Sequence, residues 1–255
     1  MSGTRWPSES EIRSGKLRGA DLTGIFLRGA SLIEADLEGA TLIDADLAGA
    51  VLKGARLKGA DLEGIDLSDA DLSDADLSGA NLRRANLGRA KLRTANLQGA
   101  RLVSVLGEQC NLWGANLKVA DLSDAYLARA NLGQADLPGA KLERINLTEA
   151  NLWGVDCRLA RLVDANLGGA DLSTGRFQEA DLSRANLAAA NLTRASFKGA
   201  RLVSADLTRA TLLETRFTDA DLRRADLRRA DSRETHFGGA KLGGAVMPDG
   251  TVEPE

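Results

Sequence analysis

A large apolar residue recurs at every fifth position of this chain. Residues 70–82 read ADLSDADLSGANL, and the register runs without a gap from Leu17 to Met247. Leucine occupies 39 of the 47 centres, the position two before each centre is alanine in 37, and the position between them is Asp or Asn in 27. Neither a helix, with 3.6 residues per turn, nor a strand, with a period of 2, has this spacing. One uninterrupted register of short units predicts a solenoid.

In an extended backbone, the alanine and leucine of each unit point to one face and the Asp or Asn between them points to the other. The two remaining residues must then turn the chain. Glycine occupies the second of them 17 times, as at Gly19 and Gly39, which suits a corner with positive φ.

A longer period sets the size of a coil. Phe177, Phe197, Phe217 and Phe237 replace leucine at intervals of 20, so four units per coil would place them in one buried column. Gly175, two residues before Phe177, is interpreted as compensation for the larger side chain. Gene duplication is the alternative origin of these spacings, and it would itself preserve the coil.

These units resemble the A(D/N)LXX motif of the pentapeptide-repeat family, as in ANLRRANLGRA (80–90) and ADLSRANLAAA (180–190). The resemblance implies an all-β fold, a right-handed quadrilateral parallel β-helix of about 12 coils and roughly 56 Å. We expect an N-terminal cap at 1–14, the β-helix at 15–249 and a tail at 250–255. Ser8 or Ser10 is a candidate N-cap for a short helix in the cap. The tail resembles those of cyanobacterial members and is too short for a dimerising helix, which favours a monomer.

No residue pattern predicts a catalytic, cofactor or metal site. Asp71, Asp74 and Asp76 approach the spacing of a calcium loop but lack its glycine and terminal glutamate. His236, the single histidine, has no partner for nucleophilic catalysis, and Cys110 and Cys157 occupy inward positions as core residues. The sequence therefore predicts a protein that is not an enzyme.

Overall charge and hydropathy predict a soluble, cytoplasmic protein. No apolar run approaches the roughly 18 residues needed to span a membrane, and residues 1–10 lack the apolar segment of a secretory signal. The net charge is only −3, which predicts neither a nucleic-acid binder nor a strongly acidic mimic of one, and the lack of a long apolar run predicts no membrane partner.

Charge is distributed unevenly along the coils. Residues 81–100 carry five basic residues and no acid, whereas residues 61–80 carry seven acids and no base. We name these acids the acidic belt: Asp61, Glu63, Asp66, Asp69, Asp71, Asp74 and Asp76. At a pitch of 20, Glu63 lies over Arg83, Asp69 over Arg89 and Asp71 over Lys91. A ladder of exposed ion pairs is expected, with partner steering as the alternative.

One branch of the family, the quinolone-resistance proteins, mimics DNA and engages DNA gyrase. A DNA mimic of roughly 56 Å needs about 33 negative charges, since B-DNA carries one per ~1.7 Å. The net charge of −3 therefore makes gyrase modulation the alternative function.

The lead hypothesis is a protein-interaction scaffold with an unidentified partner. Trp113 and Trp153 both follow a repeat centre, 40 residues apart, with Gly133 between them on one face. Indoles are enriched in binding sites. Two alternatives stay open: each indole covers neighbouring backbone, or the chain is a purely structural or consensus-like designed solenoid.

One unit departs from the pattern. Gly107 occupies a centre and Leu106 takes the place of Asp or Asn. Because voids in a core are costly, we expect Leu106 to turn inward and the corner to bulge.

Overall fold

A computed structural model describes residues 16–254 as a β-helix built from single bridging residues. Within that range there is no helix and no strand longer than one residue. A bridge occurs at every fifth residue from 16 to 246, and each of these joins residues 20 apart in parallel, as Lys16 to Asp36 and Asp226 to Val246. One coil therefore contains 20 residues in four walls, as the sequence predicts. The predicted helical cap at 1–14 lies outside the described residues.

Backbone hydrogen bonds tie each wall to the next coil. The amide of Leu117 donates to the carbonyl of Asp136 at 2.7 Å, and the amide of Asp136 donates to Ala115 at 2.9 Å. A third bond crosses at the corner, where the amide of Val119 donates to Pro138 at 3.0 Å. The polar groups of the walls are thus used between coils.

The corners are β-turns with a left-handed third residue. In the first complete turn, the amide of Ala20 donates to the carbonyl of Leu17 at 3.0 Å, and Gly19 has φ of 65°. Every fifth residue from 19 to 244 has positive φ, as a type II turn requires at this position. The turn prediction is confirmed, although many corners place a residue other than glycine there.

The interior is one continuous core of the alanine and leucine positions from Leu17 to Ala245. Phe177, Phe197 and Phe217 are fully buried, and Phe237 is partly buried against the same core. Successive phenylalanine rings stack with centroids 4.8, 5.2 and 5.5 Å apart. The predicted column is confirmed.

The outward Asp and Asn side chains hold the turns. Oδ1 of Asp66 accepts from the amide of Ser68 at 2.9 Å, and Nδ2 of Asn86, one coil on, donates to the same oxygen at 3.0 Å. The side-chain amide of an asparagine can accept from its own turn through Oδ1 and donate to the previous coil through Nδ2. A ladder of side-chain hydrogen bonds therefore runs along the outside of the wall. Asx-type bonding of this kind explains the preference for Asp and Asn.

The prediction for Leu106 is wrong. Leu106 points outward with 56% of its surface exposed, and its bridges to Asn86 and Tyr126 keep the ordinary register. The space inside is filled by neighbours, since a Cβ on Gly107 would lie 2.5 Å from Leu127 and 3.3 Å from Sγ of Cys110. Cys110, which replaces the usual alanine with a larger side chain, and Leu127 therefore fill this space and prevent a void.

The last coil is followed by a backbone reversal. Val252 pairs with Val246 in antiparallel fashion, and the amide of Gly244 donates to Glu253 at 2.9 Å. Asp249 holds the connecting turn through Oδ1, which accepts from the amide and hydroxyl of Thr251.

Candidate protein-interaction surface

Trp113, Gly133 and Trp153 form one column at a corner of the helix. The two indoles stack with ring centroids 5.8 Å apart and planes 17° apart. They close over Gly133, where a Cβ would lie 2.4 Å from Cζ3 of Trp113. Trp153 keeps 41% of its surface exposed, whereas Trp113 is half-buried. The column is therefore an indole pair and not two separate residues beside an open glycine.

The repeat itself positions these three residues. Each follows a buried leucine, and each backbone amide donates to Oδ1 of an asparagine two residues earlier, at 3.0 to 3.1 Å. Asn131 also accepts from Nδ2 of Asn151 at 3.0 Å, which joins two of the coils. The backbone of the corner is thus held by side chains as well as by the ladder. A rigid aromatic pair loses little conformational freedom when a partner binds.

The acidic belt surrounds the rod instead of forming a patch. Asp61, Asp66, Asp71 and Asp76 occupy consecutive bridging positions, so there is one on each wall. Three of these carboxylates accept from asparagines one coil on, at 2.8 to 3.0 Å, and Asp71 accepts from the amide of Ser73 at 3.0 Å. Their first role is to hold turns and coils together.

The other belt acids pair with the following coil. Nε of Arg89 donates to Asp69 at 2.7 Å, and this bond lowers the pKa of the Asp69 carboxyl. Glu63 pairs with Arg84 at 3.0 Å and not with Arg83, because Arg84 reaches across the corner. Asp71 and Lys91 are partners in a backbone β-bridge. The pKa of the Asp71 carboxyl is lowered chiefly by its hydrogen bond from Ser73 and also by the nearby ammonium of Lys91. Asp74 accepts from the hydroxyl of Thr94.

Reactive groups of the described region lie apart from one another. Cys110 and Cys157 are free thiols in the core, and burial raises the pKa of Cys110 to about 12 and that of Cys157 further. His236 is exposed on the last coil. Within residues 16–254, no three His, Cys, Asp or Glu side chains form a group able to hold a metal ion. The described residues also include no helix of the length and apolarity that a membrane crossing needs.

Exposed apolar side chains occur at positions that were not predicted from the sequence. Val119 and Leu159 are 61% and 59% exposed, one corner away from the indole pair. Leu106 and Tyr126 are neighbours on another wall. The sequence does distinguish Val119 and Leu159, because they interrupt a column of corner positions that is otherwise mostly glycine.

Comparison with known proteins identifies the repeat. A family model described as pentapeptide repeats matches in eight copies, over residues 16–47, 30–69, 70–105, 108–144 and 140–178. A second, described as a pentapeptide repeat region, matches 170–247. A comparison with curated proteins gave no match.

Solved structures give the same result. HetL from the cyanobacterium Nostoc sp. strain PCC 7120, a pentapeptide repeat protein involved in regulation of heterocyst differentiation, is 36% identical. That match covers 96% of this chain and 97% of HetL, with a TM-score of 0.67. Trypsin-treated QnrB1, a plasmid-mediated fluoroquinolone resistance protein, is 21% identical over 78% of this chain and 89% of its own, with a TM-score of 0.50, and shares the fold. This chain belongs to the pentapeptide-repeat family.

Proposed function

We propose that this protein is a non-enzymatic, cytoplasmic scaffold that binds a partner protein through the corner formed by Trp113, Gly133 and Trp153. The observation that carries the proposal is the stacked indole pair, which presents a rigid aromatic surface over a glycine. Aromatic anchors of this kind contribute about 2 kcal/mol or more each when a partner excludes water from them.

The similarity to HetL supports a role in binding. HetL is described as involved in regulation, and the two chains align over nearly their whole length. We extend a regulatory role, exerted by protein binding, to this chain. The proposed partner binds the side of the rod, where the walls form a continuous surface across many coils.

Gyrase modulation through DNA mimicry is the second candidate, and the charge arrangement disfavours it. A DNA mimic needs rows of acids along one surface, whereas the acidic belt places one bridging carboxylate on each wall. The following coil then places bases beside the belt acids, as Arg89 beside Asp69. The similarity to QnrB1 concerns the fold alone.

Site-specific photocrosslinking tests the proposal. Ser173 lies in the column of the indoles, one coil beyond Trp153, and Val163 occupies the equivalent turn position half a coil away. A photoreactive amino acid at Ser173 should crosslink one protein in a lysate of the source organism, whereas the same group at Val163 should not. Equal crosslinking from both positions, or none from Ser173, would contradict the proposal.

Variants of the captured complex separate the candidates. Trp113→Ala with Trp153→Ala should abolish capture and leave thermal unfolding nearly unchanged, because Trp153 is well exposed and neither indole is in the core. Asp69→Asn with Asp71→Asn should only reduce the salt dependence, since charges are screened beyond about 8 Å. If the Asp pair abolishes capture and the Trp pair does not, and the protein inhibits gyrase supercoiling, DNA mimicry is the function. A purely structural solenoid predicts no specific capture by any form.

A further inference from the structure

A second apolar column stands one corner away from the indole pair, on the same three coils. Val119 and Leu159 flank Gly139 in the way that Trp113 and Trp153 flank Gly133. A Cβ on Gly139 would lie 3.4 Å from Cγ1 of Val119, so the valine covers this glycine. Two columns of apolar, glycine, apolar therefore run side by side.

Val119 and Leu159 occupy left-handed corner positions where glycine is the commonest residue of their column. Their φ values are 51° and 60°, in the left-handed region that many non-glycine corner residues of this chain share, although Val119, being β-branched, is less suited to it. Glycine occupies eight of the 12 positions of this column, from Gly19 to Gly239. Because both side chains are mostly exposed, they gain little packing in exchange for the strain. The fold therefore does not require an apolar side chain at either position.

The two columns bound one wall, which we name the 113–119 wall: residues 113–119, 133–139 and 153–159. Its middle is polar and holds ion pairs. Asp156, whose side chain is only 5% exposed, accepts from Nη2 of Arg158 and from Nη2 of Arg176, both at 2.7 Å. Lys118 pairs with Asp136 at 2.7 Å. Two of these cations, Lys118 and Arg158, belong to the wall, and the third, Arg176, lies on the next coil together with Glu179, so the charges around the wall balance.

The arginines retain capacity for another acid. Arg158 and Arg176 are about half exposed and share a single carboxylate. Arg176 contacts Asp156 through one nitrogen, whereas a guanidinium has five N–H donors. A second carboxylate that approached from solvent beside Asp156 would meet both guanidiniums.

The backbone of the wall is not available to a partner. The amides of Asn116, Leu117 and Val119 all donate to carbonyls of neighbouring coils, at 2.7 to 3.0 Å. A partner strand therefore cannot extend a sheet edge here, and recognition must use side chains. The site offers apolar contacts at both margins and two half-exposed guanidiniums around Asp156.

We propose that the 113–119 wall binds a segment of a partner protein in which a single Asp or Glu lies between two apolar side chains. The apolar residues cover the indole pair on one side and Val119 with Leu159 on the other, and the carboxylate pairs with Arg176 and Arg158. A nucleic acid fits less well, because Asp136 and Asp156 would face its row of phosphates. This inference rests on the proposed scaffold function and specifies the chemistry of its partner.

A defined peptide panel provides the probe. Fluorescein-labelled Gly-Ser peptides of about 12 residues, long enough when extended to cross the wall, carry one central Glu and a Leu or Trp on each side at varied spacing. A matched panel carries Gln in place of Glu. We expect at least one Glu peptide to bind the full chain, measured by fluorescence anisotropy, and its Gln form to bind about tenfold more weakly, as expected for loss of a charged hydrogen bond.

Two pairs of variants assign the binding to this wall. Arg176→Gln should remove the preference for Glu, whereas Arg216→Gln, at the equivalent position two coils on, should not. Val119→Gly with Leu159→Gly should weaken binding about fivefold or more without lowering the melting temperature, because glycine suits positive φ. Asp219→Gly makes the same backbone change in this column outside the wall and should leave binding unchanged.

The inference is overturned if no Glu peptide binds, if Glu and Gln peptides bind equally, or if Arg176→Gln has no effect. A single-stranded DNA of similar length that binds more tightly than every peptide would also overturn it, in favour of a nucleic acid. The scaffold function fails separately, since it requires capture at Ser173 and its loss in the Trp113→Ala, Trp153→Ala variant. Capture that depends on the indoles but not on Arg176 would retain the scaffold and reject this partner chemistry.

Discussion

The ring of Trp113 occupies the space that a side chain on Gly133 would need. A Cβ on Gly133 would lie 2.4 Å from Cζ3 and 2.6 Å from Cε3 of the indole. The glycine thereby allows Trp113 to lean along the rod until it stacks on Trp153, two coils away. The indole pair depends on the absence of one methyl group.

Gly133→Ala should separate the two indoles. The atoms that clash are at the far end of a rotatable side chain, so the ring moves and the backbone does not. We expect a change in the near-UV circular dichroism and tryptophan fluorescence, with the free energy of unfolding altered by less than about 1 kcal/mol, because lost ring stacking offsets the gain from replacing glycine.

Gly88→Ala is the control for this change. Gly88 occupies the same turn position, and a Cβ there would meet only Oδ1 of Asn86, at 3.3 Å. A Cβ on Gly133 would make the equivalent contact with Oδ1 of Asn131 at the same distance, so the indole is what differs. Its spectra should be unchanged. An unaltered tryptophan signal in Gly133→Ala would show that the indoles are not held together over the glycine.

Phe197→Ala should destabilise the rod by about 3 to 5 kcal/mol, the usual cost of removing a buried phenylalanine. Phe197 is fully buried between two stacked rings, with centroids 4.8 and 5.2 Å away. Phe237→Ala should cost less, since Phe237 is partly buried and has one stacking partner. Denaturant unfolding measures both, and a loss below about 1 kcal/mol for Phe197→Ala would contradict its burial.

The phenylalanine column was predictable from the sequence because a fixed coil of 20 residues places equivalent positions on top of one another. The same regularity misled the expectation for Leu106. The wall here is bonded to both neighbouring coils, since the amide of Leu106 donates to Ala85 at 3.0 Å and that of Gly107 to Tyr126 at 2.8 Å. One deviating side chain therefore cannot turn the backbone, and the fault is absorbed by Leu127 and Cys110.

Contacts between corners were harder to predict than the column. The pairing of Glu63 with Arg84 instead of Arg83, and the stacking of the two indoles, depend on how far long side chains reach between coils. The five-residue period specifies the position of each Cα atom on the coil, but it does not specify the conformation of a long side chain.

Leu106→Asn should stabilise the protein by about 0.5 to 1.5 kcal/mol, the net value of a typical hydrogen bond. An asparagine at this bridging position would accept from the amide of Glu108 and donate to Asn86, as Asn116 does with Lys118 and Asn96. Leu106→Ala removes the same exposed side chain without adding either bond. Urea unfolding should show a gain for Asn over Ala, and equal stability would mean that the ladder contributes nothing here.

Asp156→Asn should lower stability at neutral pH and have little effect in acid. Burial raises the pKa of Asp156, but its hydrogen bonds to Arg158 and the charges of Arg176 and Arg158 outweigh this effect, so the pKa lies below its ordinary value. A carboxyl with a lowered folded-state pKa stabilises the protein above its unfolded value of about 3.9, and this contribution is lost as the pH falls through the folded-state value.

The variant isolates the charge, because asparagine can still accept from the amide of residue 158 as the repeat requires. At pH 7 we expect a loss of about 1 to 2 kcal/mol, at the low end for charged hydrogen bonds since both arginines are half exposed. Asp136→Asn is made in the same column. Asp136 is more exposed than Asp156 and makes a single ion pair, so its replacement should cost less stability. Urea unfolding from pH 7 down to about pH 2 measures the difference between wild type and Asp156→Asn, which should shrink towards zero in acid. A difference that stays constant with pH would mean that Asp156 acts through its shape and its turn, and that its charge does not hold the two arginines.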